Sequence, residues 1–204
     1  MPGPKVVIFD LGKVLVDFDY QIALRRLAPR SSLAIDGWDR LLNRSRLLLR
    51  YESGGMTSAE FYEEIRTASG FRGDFAEFSR LFAEIFQPIE PMVALHAELR
   101  ACGWRTFVLS NTNEIQARYV RQRFPFFGAF EGHVLSFEHG ALKPDPRLYE
   151  VAEQTTGCRG PEVFYLDDRP ENVVAGAARG WQAIVHQDVG TTRERVRAAG
   201  LLEV

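Results

Sequence analysis

The stretch that most constrains the fold is Lys5-Val6-Val7-Ile8-Phe9-Asp10-Leu11-Gly12. Four apolar residues, β-branched or aromatic, run without a polar break and stop on a carboxylate. An uninterrupted run of that kind reads as a strand buried on both faces, as parallel sheets require. Gly12 lets the chain turn just past Asp10, so the acid stands at the carboxyl end of the strand. Ligands bind along that edge in open α/β sheets. Alone, such an Asp can be a nucleophile, a metal ligand or a cap, and the choice depends on what joins it.

The rest of the chain supplies the company. From Pro91 onward helical and strand patterns alternate: a helix over 91–101, a strand over 104–109, a helix over 114–123, a strand over 133–135, a helix opened by Asp145 and Pro146, a strand over 162–166, a helix over 170–178 and a strand over 181–185. Alternation of this kind predicts a doubly wound parallel sheet. Between the first strand and this series, about 20–86 carries helical periodicity and almost no strand signal. Thr57-Ser58-Ala59-Glu60 is a capping box, Asp74 with Glu77 opens another helix, and a further helix is expected over 38–50. The expected organisation is a core of 1–17 plus 88–204 and a helical insert over 18–87, exiting at Pro88 to Pro91.

In a parallel sheet the strand ends share one edge, which brings together Asp10, Ser110 with Asn111, and Asp167 with Asp168, with Lys143 in a nearby loop. Adjacent carboxylates repel, so a site that keeps both ionised supplies a cation. Hard oxygen donors with few protein contacts suit Mg²⁺, which also binds substrate phosphate. Beside Asp167 and Asp168, Asp10 could supply a further carboxylate and the Gly12 carbonyl a neutral oxygen. Lys143 balances charge between Asp10 and a transferred phosphoryl group, while Ser110 and Asn111 can donate to phosphate oxygens at a helix N-terminus. The substrate side is completed by Gly12, Lys13 and, from a glycine-rich break in the insert, Glu52.

These motifs, Phe9-Asp10-Leu11-Gly12, Leu109-Ser110-Asn111, Lys143-Pro144 and Asp167-Asp168 with Asn172, resemble those of the haloacid-dehalogenase-like hydrolase superfamily, and most closely its sugar-phosphate phosphatase branch. The resemblance implies a Mg²⁺-dependent phosphohydrolase acting on a small phosphorylated metabolite through an aspartyl-phosphate intermediate. Asp10 would be the nucleophile, with Ser110 and Lys143 holding the phosphoryl group and Asn172 supporting the acids. The sequence departs from that pattern at Gly12, where superfamily phosphatases carry an acid that protonates the leaving oxygen. Asp17 and Asp19 are the nearest substitutes in the chain. Two rivals stand beside this reading: a haloacid dehalogenase with the same nucleophile, and a phospho-ligand-binding protein without turnover.

Other features narrow the setting. A net charge of −2 over 204 residues gives no electrostatic case for nucleic acid or an anionic membrane. Two widely separated cysteines, no transmembrane-length run and no signal-like start predict a cytoplasmic protein. The four histidines have no metal or triad spacing and are expected to be structural.

Overall fold

A computed structural model of the chain describes residues 3–44 and 46–203. The first strand, β1 (Val6–Phe9), lies at the centre of a five-stranded sheet. Its neighbours are β4 (Arg105–Ser110) and β6 (Val163–Asp167), with β5 (Gly132–Leu135) and β7 (Gln182–Val185) at the edges, and every pairing is parallel. The chain winds outward from β1 in one direction through β4 and β5, then in the other through β6 and β7. The reversal therefore falls beside β1, opening a crevice at the carboxyl end where Asp10 sits.

Both faces of β1 are buried, and its side chains alternate between two cores. Val7 and Phe9 enter one cluster, Val6 and Ile8 the other. The first is closed by α6 (Glu90–Ala101), α7 (Glu114–Arg123) and α11 (Val189–Ala198), through Met92, Leu95, Ile115, Val120 and Val196. The second is closed chiefly by α9 (Pro146–Thr156), through Leu148, Tyr149 and Ala152. Sequence signals at the helix starts hold locally. Asp145 accepts from Arg147 N at 3.0 Å ahead of Pro146. Pro170 opens α10 (Pro170–Ala178), the helix that follows β6.

Two short strands absent from the sequence reading frame the insert. β2 (Val16–Phe18) and β3 (Phe86–Pro88) pair antiparallel, Asp17 opposite Gln87. Three residues each is too short for a periodic signal, and each strand straddles an expected boundary of the insert. Between them lie α1 (Tyr20–Leu27), α2 (Ile35–Asp39), α3 (Leu47–Glu52), α4 (Ser58–Ser69) and α5 (Phe75–Ala83). The single helix expected over 38–50 is a correction: α2 passes into a π-turn over Arg40–Arg44, and α3 begins separately at Leu47. Ser45, within that expected helix, lies outside the described residues. The capping box at Thr57 and Glu60 is formed, and Asp74 caps α5 by accepting from Glu77 N. Aromatic side chains fill the insert, with Tyr51 stacked on Phe61 at 4.3 Å and Phe78 on Phe82 at 5.5 Å. They are its core, which leaves few of them for a ligand.

The insert rests on a short helix after β5, α8 (Ser136–His139). Ser136 Oγ donates to the Glu52 carbonyl at 2.6 Å and accepts from Thr112 N at 2.9 Å. Gly54 follows with φ +71°, and a Cβ there would fall 2.2 Å from the Phe137 carbonyl. Only glycine satisfies both the left-handed backbone and the close approach.

Candidate active site

The strand ends converge as the parallel sheet requires. Carboxylate oxygens of Asp10, Asp167 and Asp168 lie within 4.8 Å of one another. Lys143 reaches the same point from its loop: Nζ is 2.9 Å from Asp10 Oδ1 and 2.6 Å from Asp167 Oδ2, and donates to the Leu109 carbonyl at 2.9 Å. Its position is fixed by Asn111, whose side-chain amide donates to Lys143 O at 3.0 Å and whose Oδ1 accepts from Lys143 N at 2.7 Å.

Asp167 and Asp168 differ in kind, though adjacent. Asp167 is fully buried and accepts four donors: Lys143 Nζ and the Tyr165 hydroxyl on Oδ2, Arg169 N (2.8 Å) and Asn172 Nδ2 (2.9 Å) on Oδ1. Asp168 instead faces a cavity of about 210 Å³ that Asp10, Gly12, Ser110, Asn111 and Lys143 also line. The charges follow from this geometry. Burial pushes the Asp10 carboxyl up to about 7; the Lys143 ammonium opposes that rise and Asp167 and Asp168 add to it. Burial would also raise Asp167, but Lys143, Tyr165 and the Arg169 amide outweigh it and hold the group below its usual range. Asp168 is raised, by burial first and then by Asp167. Burial works to lower Lys143, and its two acidic neighbours reverse the outcome.

Three carboxylates thus gather beside one ammonium, which pairs with two of them. The surplus negative charge, made of hard oxygen donors, suits a divalent cation such as Mg²⁺. The buried Asn172 Oδ1 has no hydrogen-bond partner, which leaves a further polar atom beside the acids for a bound water or ion.

The remaining residues singled out in the sequence divide cleanly. The Ser110 hydroxyl, 2% exposed, makes only a long 3.4 Å contact to the Asn111 carbonyl and is free for a ligand. Lys13 lines the cavity, but its side chain turns outward: Nζ pairs with Asp17 and donates to the Phe18 carbonyl at 2.8 Å. The Asn111 side chain is spent on Lys143. Asp17 is committed to Lys13, and Asp19 caps α1 by accepting from Gln21 N at 2.8 Å. Glu52 lines the same cavity from the insert. His96 bonds Thr106 at 3.0 Å, His133 the Phe127 carbonyl at 2.8 Å, and His186 Thr192 at 2.7 Å. Sequence reasoning passed over Tyr165, which stands two residues before Asp167 on the same face of β6. It also passed over Ser136 and the Tyr20–Gln116 pair, for which no spacing signal exists.

A profile of haloacid dehalogenase-like hydrolases matches residues 4–180, and the chain belongs to that family. It is therefore a hydrolase. A sesquiterpene phosphatase, astK, of Aspergillus oryzae is 25% identical over 86% of this chain and 86% of its own length. A haloacid-dehalogenase-family enzyme of Bacteroides thetaiotaomicron, solved with magnesium and inorganic phosphate, superposes with a TM-score of 0.78 at 23% identity, covering 91% of this chain and 95% of that one. The L-2-haloacid dehalogenase of Xanthobacter autotrophicus superposes at 0.63 with 16% identity over 98% and 84% of the two chains. The likeness to the two solved structures is one of fold.

Proposed function

We propose that the chain is a Mg²⁺-dependent phosphomonoesterase acting on a small phosphorylated metabolite, with a sugar phosphate as the leading class. The observation that carries this is the excess of acid: Asp10, Asp167 and Asp168 cluster together, and the one ammonium there, Lys143, pairs with the first two. A halide leaves as a stable anion and calls for neither metal nor surplus carboxylates. Phosphoryl transfer calls for both a cation and a lysine against the developing charge. The phosphatase relative and the magnesium-and-phosphate neighbour support the same side.

Asp10, the Gly12 carbonyl and Asp168 are the residues to hold the metal. Asp167, saturated by four donors, is the anchor of Lys143 instead of a ligand. When bound, Mg²⁺ neutralises the acids and draws charge from a phosphoryl oxygen. The Asp10 carboxylate attacks phosphorus, forming the aspartyl phosphate as the ester oxygen leaves. Lys143 Nζ and the Ser110 hydroxyl hold the transferred oxygens. Water then cleaves the acyl phosphate and restores Asp10. No helix among the described residues is long and apolar enough to cross a membrane. That, with two cysteines outside any disulfide, agrees with a cytoplasmic setting.

The test is a panel of phosphomonoesters and 2-haloacids with and without Mg²⁺, run on the wild-type chain and on Asp10→Asn. Mg²⁺-dependent phosphate release that disappears in Asp10→Asn is the expected result. Metal-independent halide release selects the dehalogenase. Tight binding of a phosphate ester without turnover selects the ligand-binding protein.

A further inference from the structure

Position 12 is closed to an acid by packing. A Cβ on Gly12 would stand 2.8 Å from Phe18 Cε1. That ring is braced by Tyr20 and Phe86, with centroids 5.7 and 5.8 Å away. Asp17 and Asp19, the nearest acids in the chain, are engaged outside the cavity. The carboxylates lining it are Asp10, Asp168 and Glu52, and the first two belong to the nucleophile and metal positions. Glu52 is therefore the acid of this cavity left without a role.

Its setting is built. Glu52 ends α3, and its carbonyl is fixed by Ser136 at 2.6 Å. Tyr20 of the same insert lies near enough to favour its charged form, and its hydroxyl donates to Gln116 Oε1 at 3.2 Å. The Tyr20 hydroxyl also accepts from Gln116 Nε2 at 3.0 Å, and Asn113 Nδ2 donates to Gln116 Oε1 at 2.9 Å. The chain of bonds runs from the loop that carries Ser110 to the insert. Arg169 is the charged group acting on Glu52; Lys13, Lys143, Asp10 and Asp168 share the cavity walls. Burial outweighs Tyr20 and Arg169 and pushes the carboxyl up to about 7, where it holds a proton near neutral pH and still gives it up.

Resting on the phosphomonoesterase reading, we propose that Glu52 is the catalytic acid and base of this enzyme, replacing from the insert the residue that Phe18 excludes at position 12. In the first step the Asp10 oxygen–phosphorus bond forms and the ester oxygen–phosphorus bond breaks. The departing oxygen takes the Glu52 proton and leaves as the alcohol. In the second, Glu52 takes a proton from water while that water's oxygen bonds phosphorus and the Asp10–phosphorus bond breaks. Phosphate leaves, and Glu52 is protonated again.

The experiment follows release of the leaving group in the first turnover, with Mg²⁺ present, for p-nitrophenyl phosphate and for an alkyl phosphate. Nitrophenolate leaves without a proton; an alkoxide does not. Glu52→Gln is expected to slow the alkyl first turnover by about 10²–10⁴. The p-nitrophenyl burst stays at the wild-type rate, which also shows that the variant is folded, and phosphoenzyme then accumulates. An unchanged alkyl rate in Glu52→Gln, or equal losses on both substrates, overturns the proposal and leaves the phosphatase reading intact. Absence of any Mg²⁺-dependent leaving-group release from either ester by the wild-type chain overturns the phosphatase reading itself.

Discussion

Lys143 Nζ lies 2.6 Å from Asp167 Oδ2 in an ion pair whose two side chains are 1% and 0% exposed. The same nitrogen is 2.9 Å from Asp10 Oδ1, so one buried cation neutralises part of two buried anions. Lys143→Met leaves both without it. Breaking a buried pair from one side costs about 3–5 kcal/mol, because the surviving charge stays desolvated. Urea unfolding of the metal-free protein is expected to show a loss of that order. Combining Lys143→Met with Asp167→Asn is expected to cost less than the two separate losses together.

Gly12→Ala tests whether Phe18 sets the identity of that residue. The added methyl meets the ring at 2.8 Å, well inside contact distance. Overpacking of this sort costs about 1–3 kcal/mol. Thermal unfolding is expected to report that loss, and Phe18→Ala in the same chain to recover part of the clash term as measured in a double-mutant cycle.

The edge of the sheet was legible because its rule is simple. Strands buried on both faces are continuous apolar runs; β4 and β6 end on Ser110 and Asp167, and Asp10 directly follows β1. Parallel pairing then forces the ends together. The different duties of Asp167 and Asp168 were not legible, since they depend on which way each points from the end of β6. Nor was Lys13's outward turn, which follows from the proximity of Asp17 and the Phe18 carbonyl. Tyr20 and Gln116 stand 96 residues apart in the chain, and only the docked insert brings them together.

Metal binding is expected to stabilise the fold, and more so in base than in acid. Asp10, at about 7, and Asp168, also raised, hold protons in mildly acid solution that a cation must displace. At a free Mg²⁺ concentration of 100 times Kd the gain is about 2.7 kcal/mol where the acids are already ionised. Differential scanning fluorimetry at pH 8 and pH 5 is expected to show a large upward shift in Tm at the first and a small one at the second.

His96 gives the fold an acid limit independent of the site. It is 1% exposed, bonded to Thr106 and stacked on Phe130 at 3.8 Å, and burial drives its pKa down to about 4 from 6.5. Between those values the unfolded chain binds a proton that the folded chain refuses, so stability falls as pH drops through this window. The contribution is about 3 kcal/mol, at 1.36 kcal/mol per unit of pKa. Chemical denaturation of wild type and His96→Gln at pH 7.5 and pH 4.5 is expected to show the smaller acid loss in the variant.

Ser136 spends one hydroxyl on two neighbours: it binds the Glu52 carbonyl on the insert and both backbone groups of Thr112 beside Ser110. Ser136 stays with the sheet, so swinging the helices away breaks its bond to Glu52 and leaves its hold on Thr112, and with it the Ser110 loop, in place. Opening would therefore carry Glu52 out of the cavity while the strand-end wall beneath it kept its shape.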